Sequence, residues 1–351
     1  MHYRGLGRSD IRVSELCFGA ITFVGDAGWR HVGDMGQKEA DACVGLALDA
    51  GVNFFDTADI YSSGESEKIL GKALGSRRRE VILATKVGFR MGPGPDDDGC
   101  SRTRIIEGCH ASLRRLGTDV IDLYQIHSYD PLVPLEETLG ALNDLVREGE
   151  VRFLGCSNFT GWQLMKALAI SRQNGWKEFV SLQALYSLVT RDLEYELLPL
   201  CLDQNIAVLP WGPLAGGFLS GKYRKGDVWP GGTRMHLPSD HLLFDETRAY
   251  AIVEELRAIA KERGCLPPHV ALRYLLSRPG VTSVVFGART REQLKDNLAT
   301  VNVRLSAEEI ARLDAVSTPS SVYPHWYFEI YRKDRMEEAR RRQTVNVHQT
   351  D

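Results

Sequence analysis

Four side chains with acid–base chemistry stand at, or just beyond, the ends of short apolar runs. Asp56 ends "VNFFD", Lys86 ends "VILATK" and His127 ends "VIDLYQIH", while Tyr61 follows five positions after Asp56. If they converge, a Lys86 ammonium paired with Asp56 favours the phenolate of Tyr61 and lowers the pKa of that tyrosine from about 10. Tyr61 could then act as a general acid, and His127 could donate a hydrogen bond to the same substrate oxygen. This set predicts protonation of a carbonyl oxygen, with a bound hydride donor because no side chain here is an obvious nucleophile.

Each of these residues also has an ordinary structural explanation when it is taken alone. Asp56 could cap the following helix, although that helix is predicted to begin only near residues 64–66. Lys86 could be a surface lysine whose stem packs on the protein, and His127 could be a satisfied structural histidine. These alternatives weaken together if the fold brings the four side chains to one place.

Eight short apolar runs alternate with helix-like stretches, and this alternation predicts the fold. The runs are residues 15–20, 52–56, 81–86, 120–127, 151–158, 179–186, 206–214 and 281–288. Strands that alternate with helices of this length predict βαβ units and a parallel sheet. Eight units predict a closed (β/α)8 TIM barrel, an α/β fold whose active site lies at the carboxyl ends of the strands. A doubly wound sheet is the competing arrangement, but it needs a glycine-rich fingerprint after its first strand, and "FGAITFVGDAG" does not match GxGxxG.

The length of 351 residues could hold two domains, but an α/β barrel of this size forms one, so we expect a single domain over residues 1–351. Residues before the first run predict a short β-hairpin cap, and residues 317–351 predict a C-terminal helix or tail over the barrel with a disordered end. The formal net charge of −3 gives no basic footprint for nucleic acid. The N-terminus reads as neither a signal peptide nor a membrane span. The seven cysteines form no CxxC pair, which favours a reducing cytoplasm, and no metal site is predicted.

Several segments together resemble the aldo-keto reductases. They are "NFFDTADIYSSGESEKILGKAL", "VILATKV", "IDLYQIH", "GEVRFLGCSNF", "LQALYSL", "LPWGPLAGGFLSGKY" and "FGARTREQLKDNL", in the family's order and spacing. The resemblance runs from about residue 3 to residue 316, which it implies is the barrel core. It implies an NADP(H)-dependent oxidoreductase that reduces an aldehyde or ketone, sugars included, to an alcohol. It implies Tyr61 as the proton donor, with Lys86 and Asp56 as the groups that tune it. It also implies that His127 orients the carbonyl.

For the cofactor, the resemblance implies contacts along the mouth of the barrel. At the nicotinamide end these are Ala20, Ile21, Asp56, Ser157, Asn158 and Gln183, with Trp211 stacked on the ring. Around the pyrophosphate they are Gly212, Pro213, Leu214, Ala215, Gly216 and Lys222, with Arg234 as a strap. At the adenosine end they are Gly287, Arg289, Gln293, Asp296 and Asn297.

The chain departs from the family's pattern at the adenosine end. Many members carry Lys-Ser where this chain has Gly287 and Ala288, and that lysine holds the 2′-phosphate. Arg289 could replace it because a guanidinium suits a phosphate, so NADPH is expected and NAD(H) is not excluded.

Candidate substrate residues are expected near the predicted acid site, although Trp29 could equally be a loop residue packed on the barrel rim. They are Trp29, Tyr61, His127 and Tyr129. Two loops, residues 88–101 and 224–245, are long enough to shape specificity.

Two other functions fit parts of the same sequence. A Schiff-base lyase could use Lys86 as a covalent nucleophile. A nucleotide-binding regulatory subunit, similar to the β-subunits of potassium channels, could share the cofactor segments, although such proteins tend to lack a histidine at the position of His127. The expected partner is a small carbonyl substrate, with neither nucleic acid nor membrane, and self-association is left open.

Overall fold

A computed structural model describes residues 1–24, 32–226 and 245–338 of the chain. The chain begins with a β-hairpin, in which β1 (Tyr3–Gly5) pairs antiparallel with β2 (Arg12–Ser14) as a separate two-stranded sheet. Its turn packs so tightly beneath the barrel that a Cβ on Gly7 would lie 2.2 Å from the carbonyl oxygen of Val180. The predicted hairpin is therefore confirmed, and it closes the amino-terminal end of the barrel.

The main sheet has eight strands, and every strand pairing within it is parallel. In chain order the strands are β3 (Leu16–Gly19), β4 (Phe54–Asp56), β5 (Ile82–Val87), β6 (Ile121–Ile126), β7 (Val151–Ser157), β8 (Phe179–Leu185), β9 (Ala207–Trp211) and β10 (Val284–Phe286). The hydrogen-bonded order runs from β10 through β3 to β9. A bridge between Val208 and Val281 brings the segment that leads into β10 beside β9. This nearly closed sheet confirms the (β/α)8 barrel and excludes the doubly wound alternative.

Helices cover the outside of the barrel. They are α1 (Gln37–Asp49), α2 (Glu65–Leu74), α3 (Arg102–Leu116), α4 (Leu135–Glu148), α5 (Gly161–Asn174), α6 (Leu197–Asp203), α7 (Glu246–Arg263), α8 (Pro267–Leu276), α9 (Arg291–Leu298) and α10 (Ala307–Ser317). A further helix, α11 (His325–Tyr331), lies in the C-terminal segment and has no buried side chain. The helices form where one face of the segment is apolar. Helix α4, for example, buries Leu135, Leu139 and Leu142 on one face, and Gly149, with φ 82°, caps its carboxyl end. Helix α8 was missed from the sequence, although a proline at its first position is a usual start signal; its residues 269–276 are all buried.

The interior of the barrel changes in polarity from its base to its mouth. The lower interior is an apolar cluster in which Leu6 and Val13 of the hairpin meet inward side chains of the strands. Those strand residues are Cys17, Phe54, Ala84, Leu123, Val180, Ala207 and Leu209. At the carboxyl ends of the strands, the inward side chains are polar instead, and include Asp56, Lys86 and Gln183.

The C-terminal segment is held to the barrel by Tyr195, whose hydroxyl donates to the carbonyl oxygen of Ser320 and whose ring contacts His325. The side chains of Tyr323, Trp326 and Tyr331 are 73%, 42% and 65% exposed. The assignment of residues 317–351 to a tail over the barrel stays a prediction. Across the described ranges, no helix combines the length and the apolar character that a bilayer crossing requires.

Candidate active site

The carboxyl ends of β4, β5 and β6 bring the four acid–base side chains together. Asp56 is the last residue of β4, Lys86 lies near the end of β5, and His127 directly follows β6. The Lys86 ammonium nitrogen lies 2.5 Å from Asp56 Oδ1, 2.8 Å from the carbonyl oxygen of Thr57 and 3.3 Å from the Tyr61 hydroxyl. The ring centroids of Tyr61 and His127 are 5.7 Å apart. One cluster therefore contains a carboxylate, an ammonium, a phenol and an imidazole.

The chain between Asp56 and Tyr61 crosses the end of β5. The amide of Asp59 donates to the carbonyl oxygen of Lys86 at 3.1 Å, and the amide of Tyr61 donates to that of Ala58 at 3.2 Å. These bonds fold the segment back over the strand, so the five-position spacing places the phenol above the ammonium.

The structural explanations for the single residues do not match the geometry. Helix α2 begins at Glu65 and is preceded by Gly64, so Asp56 caps nothing. Lys86 is fully buried, unlike a lysine that extends into solvent. The Nδ1 of His127 is buried and has no hydrogen-bond partner among the described residues, so this imidazole is not a satisfied structural group.

The charge states of Lys86 and His127 follow from burial and from the charged groups beside them. Burial lowers the pKa of Lys86, but the charge and hydrogen bond of Asp56, with Tyr61, outweigh it and raise that pKa to about 12. Burial, and then the positive charge of Lys86, lower the pKa of His127 well below its usual range. At neutral pH the cluster therefore contains a cationic lysine beside a neutral imidazole.

Two amide side chains complete the surroundings of Asp56. Its Oδ2 accepts from Gln125 Nε2 at 3.0 Å and from Gln183 Nε2 at 2.9 Å. Gln183 was predicted to hold a carboxamide, and in this structure its amide group binds the carboxylate. Gln125 was missed from the sequence, although its position two residues before His127 on the same face of β6 was a usable signal.

The residues predicted for the nicotinamide converge beside this cluster. Asn158, at φ 55°, donates from Nδ2 to the carbonyl oxygen of His127 at 2.9 Å, and its Oδ1 accepts from Trp211 Nε1 at 3.1 Å. Ser157 is the buried last residue of β7 and lies level with Gln183 of β8. Ala20 directly follows β3 and lies beside the end of β4, since its amide donates to the carbonyl oxygen of Asp56 at 2.8 Å. Ile21 follows it in the loop after β3.

The segment predicted to hold a pyrophosphate is a tight turn that follows β9. Backbone in the left-handed region recurs at Gly212 (φ 65°), Ala215 (φ 47°), Gly216 (φ 64°) and Gly217 (φ 96°). Pro213 and Leu214 complete the turn. A Cβ on Gly217 would lie 3.8 Å from Lys222 Nζ. An ammonium therefore lies over a backbone that only small residues form readily, as a phosphate cradle requires.

The residues predicted for the adenosine end lie just before α9 and along it, from Gly287 to Asn297. The amide of Arg289 donates to Gln293 Oε1 at 2.9 Å, and Arg289 Nε donates to the carbonyl oxygen of Val32 at 3.3 Å. Asn297 Nδ2 donates to the carbonyl oxygen of Gly287 at 3.2 Å, so that side chain shapes the loop. The carbonyl oxygen of Asp296 lies 2.6 Å from His269 Nε2.

The remaining predicted residues are those for the substrate and the strap over the cofactor. Trp29 and Arg234 lie outside the described residues. The ring of Tyr129 packs against Phe159 and Trp162, with centroids 5.6 and 5.9 Å away. Phe89 was not singled out, yet its ring centroid lies 4.5 Å from that of His127 and the side chain is 41% exposed. Phe89 therefore forms a wall beside the acid cluster.

Comparison with known proteins relates the chain to one family and to oxidoreductases, reductases and potassium channel subunits beta. The family described as "Aldo/keto reductase family" has a sequence model that matches residues 15–318. An uncharacterized oxidoreductase, YrpG, from Bacillus subtilis (strain 168) is 38% identical over 339 residues, which are 93% of this chain and 99% of that protein. A probable voltage-gated potassium channel subunit beta from Oryza sativa subsp. japonica is 36% identical, over 90% of this chain and 96% of its own length. A versiconal hemiacetal acetate reductase from Aspergillus parasiticus is 31% identical, over 92% of this chain and 99% of its own length.

Proposed function

The chain belongs to the aldo/keto reductase family, and on that premise we propose that it is an NADPH-dependent oxidoreductase that reduces an aldehyde or ketone, with sugars among the candidates. Tyr61 is the proton donor in this proposal. Oxidoreductase activity on carbonyl compounds follows from the family and from relatives named as oxidoreductases and reductases. The choice of NADPH, the proton donor and the substrate are the proposed parts.

The observation that supports it best is the position of the Lys86 ammonium. It lies 2.5 Å from the Asp56 carboxylate and 3.3 Å from the Tyr61 hydroxyl, at a fully buried position. A cation there favours negative charge on the phenol oxygen, because the low dielectric of the interior screens the attraction little. Tyr61 can therefore release its proton to a carbonyl oxygen as negative charge develops on that oxygen, and can accept the proton back in the oxidation direction.

His127 contributes a neutral hydrogen-bond donor beside the same position. Because its pKa is lowered by burial and by Lys86, it does not compete with Tyr61 as a proton source near neutral pH. A neutral imidazole N–H directed at the carbonyl oxygen orients the substrate and stabilises its developing charge. Phe89 and Trp211 offer aromatic surface on which the rest of the substrate can pack.

The residues at the barrel mouth fit a dinucleotide. When bound there, NADPH supplies a hydride to the carbonyl carbon. Trp211 would hold the nicotinamide, with Ser157, Asn158 and Gln183 for its carboxamide. The left-handed turn over residues 212–217 and Lys222 suit the pyrophosphate, because that backbone lets the phosphates approach closely. Arg289 is the candidate for the 2′-phosphate that separates NADPH from NADH.

A substrate panel with NADPH and NADH in parallel tests the proposal. We expect aldehyde-dependent oxidation of NADPH, with NADH weaker. Titration of the protein with NADPH should quench tryptophan fluorescence, and the quench should shrink in Trp211→Phe, which separates this residue from the other tryptophans. Saturating NADPH without any quench would remove the cofactor assignment.

A regulatory subunit is a second candidate, favoured by relatives named as potassium channel subunits beta at 34–36% identity. Protein that binds NADPH but oxidises none of it across a broad aldehyde panel would support that function. A Schiff-base lyase is less consistent with the site, because Lys86, with its pKa raised to about 12, is not a free amine at neutral pH. Borohydride trapping of substrate on Lys86 would support the lyase function.

A further inference from the structure

We propose that Gln125 is a positioning residue that holds the carboxylate of Asp56 and thereby sets how strongly Lys86 acts on Tyr61. The inference rests on the proposed function, because it concerns the proton donor of that reaction. Gln125 acts through Asp56 and Lys86, and touches neither substrate nor cofactor in this proposal.

The placement of Gln125 follows from the register of the barrel. On β6, its alternate neighbours Leu123 and His127 share its inward face, one level below and one level above. Gln125 is the register partner of Lys86 on β5, and its side chain is fully buried. From there its Nε2 reaches Asp56 Oδ2 at 3.0 Å, while Lys86 holds the other carboxylate oxygen.

The other end of the Gln125 amide shows that this contact is specific. Its Oε1 is buried and has no hydrogen-bond partner among the described residues. Exchanging the amide nitrogen and oxygen would place an acceptor against the carboxylate, so the donor must face Asp56. A buried, half-satisfied glutamine is costly compared with an apolar residue of the same shape, which indicates that the bond to Asp56 is the reason for the polar group.

Gln183 donates to the same oxygen, but its position differs. It lies at the level of Ser157, where the proposed carboxamide contacts are. A carboxamide that takes the Gln183 amide group would leave Asp56 Oδ2 with Gln125 as its amide donor. Gln125, one level deeper, can keep its bond to Asp56 with and without cofactor.

The expected effect of this bond has a definite sign. A neutral donor disperses the charge of Asp56 without neutralising Lys86. Without that donor, Lys86 must balance more of the carboxylate charge, so it favours the Tyr61 phenolate less and the phenol keeps its proton to higher pH.

Two other titratable groups near the cluster stay uncharged over the working range. Burial, with the charge of Asp56, raises the pKa of the Cys17 thiol well above its usual value. Burial, with the charge of Lys86, lowers the pKa of His127 well below its usual value. A shift of the alkaline limb of the rate profile therefore reports on Tyr61, Lys86 and Asp56.

The test compares Gln125→Met, which keeps the length and loses the donor, with Gln125→Glu and with Gln183→Met as the matched control. NADPH affinity is measured by tryptophan fluorescence, and kcat/KM for aldehyde reduction is measured from pH 6 to pH 10. We expect Gln125→Met to keep the NADPH Kd within about twofold and to move the alkaline fall of kcat/KM upward by about one pH unit. Gln183→Met should weaken NADPH binding. Gln125→Glu adds a carboxyl beside Asp56 and should move the alkaline fall of kcat/KM upward at least as far. It provides a second test if Gln125→Met does not fold.

The outcomes separate the two proposals. If the pH profile of kcat/KM for Gln125→Met has the same shape as that of wild type and differs only in height, Gln125 has a merely structural role, and this inference alone is overturned. A wild-type protein that turns over no carbonyl would overturn the proposed function, and the inference with it.

Discussion

Removal of the Tyr61 hydroxyl should abolish most turnover and leave the protein folded. Tyr61→Phe deletes one oxygen, 3.3 Å from Lys86 Nζ, while that ammonium keeps Asp56 at 2.5 Å and the carbonyl oxygen of Thr57 at 2.8 Å. The loss of one such hydrogen bond costs about 1 kcal/mol of folding free energy. General acid catalysis contributes about 10²- to 10⁴-fold in rate, or about 3–5 kcal/mol of transition-state stabilisation. The effect on kcat should therefore exceed the effect on stability several-fold.

The assay follows NADPH consumption with the best aldehyde of the panel, alongside thermal unfolding and NADPH titration by fluorescence. Tyr195→Phe is the matched control, because it also deletes a tyrosine hydroxyl but loses only the bond to Ser320 at the C-terminal segment. We expect the control to keep wild-type turnover and both variants to bind NADPH. Tyr61→Phe with more than a tenth of wild-type kcat would show that the proton comes from another group.

Three further predictions concern pH and packing. Because the pKa of His127 is lowered, this imidazole should stay neutral, and kcat/KM should not fall through its protonation as pH drops from 7.5 to 5.5. A fall in kcat/KM centred near pH 6.5 that disappears in His127→Gln would contradict this. Burial raises the pKa of Asp59 to about 6 against the opposing charge of Arg104, so the folded state binds the proton more tightly and stability falls as pH rises from about 4 to 6. In urea unfolding, the stability of wild type relative to Asp59→Asn should fall by about 2 kcal/mol from pH 4.5 to pH 7.5, and a difference that does not change with pH would contradict the shift. A Cβ on Gly71 would lie 2.2 Å from the carbonyl oxygen of Leu116, whereas one on Gly45 meets nothing within 4 Å. Gly71→Ala should therefore lose about 1–3 kcal/mol and Gly45→Ala gain up to about 1 kcal/mol by the same unfolding measurement, and equal effects would refute the packing argument.

Much of the sequence prediction depended on patterns among residues that lie close together in the chain. The alternation of apolar runs with helix-like stretches predicted the barrel, because strand and helix periods are local properties. The same alternation placed Asp56, Lys86 and His127 at strand ends, and a parallel barrel brings such ends to one face. Helix α8 marks the limit of this reasoning, because its residues 269–276 are all buried and its contacts on every side are decided by the tertiary structure.

The network behind the acid cluster depended on the tertiary structure. The two amide donors to Asp56, on β6 and β8, come from residues 69 and 127 positions away along the chain. Likewise, Arg104 of α3 pairs with Asp59 and donates to the carbonyl oxygen of Phe89 at 3.1 Å, which helps to hold that wall beside His127.

The sequence by itself therefore determined the fold class and the chemical types at the barrel mouth, because both follow from short-range patterns. The tertiary structure alone decided which of those groups touch. Strand register and barrel closure set the distance from Gln125 to Asp56. Burial, which exists only in the folded chain, keeps His127 neutral, while the contacts with Asp56 and Tyr61 keep Lys86 charged despite its burial.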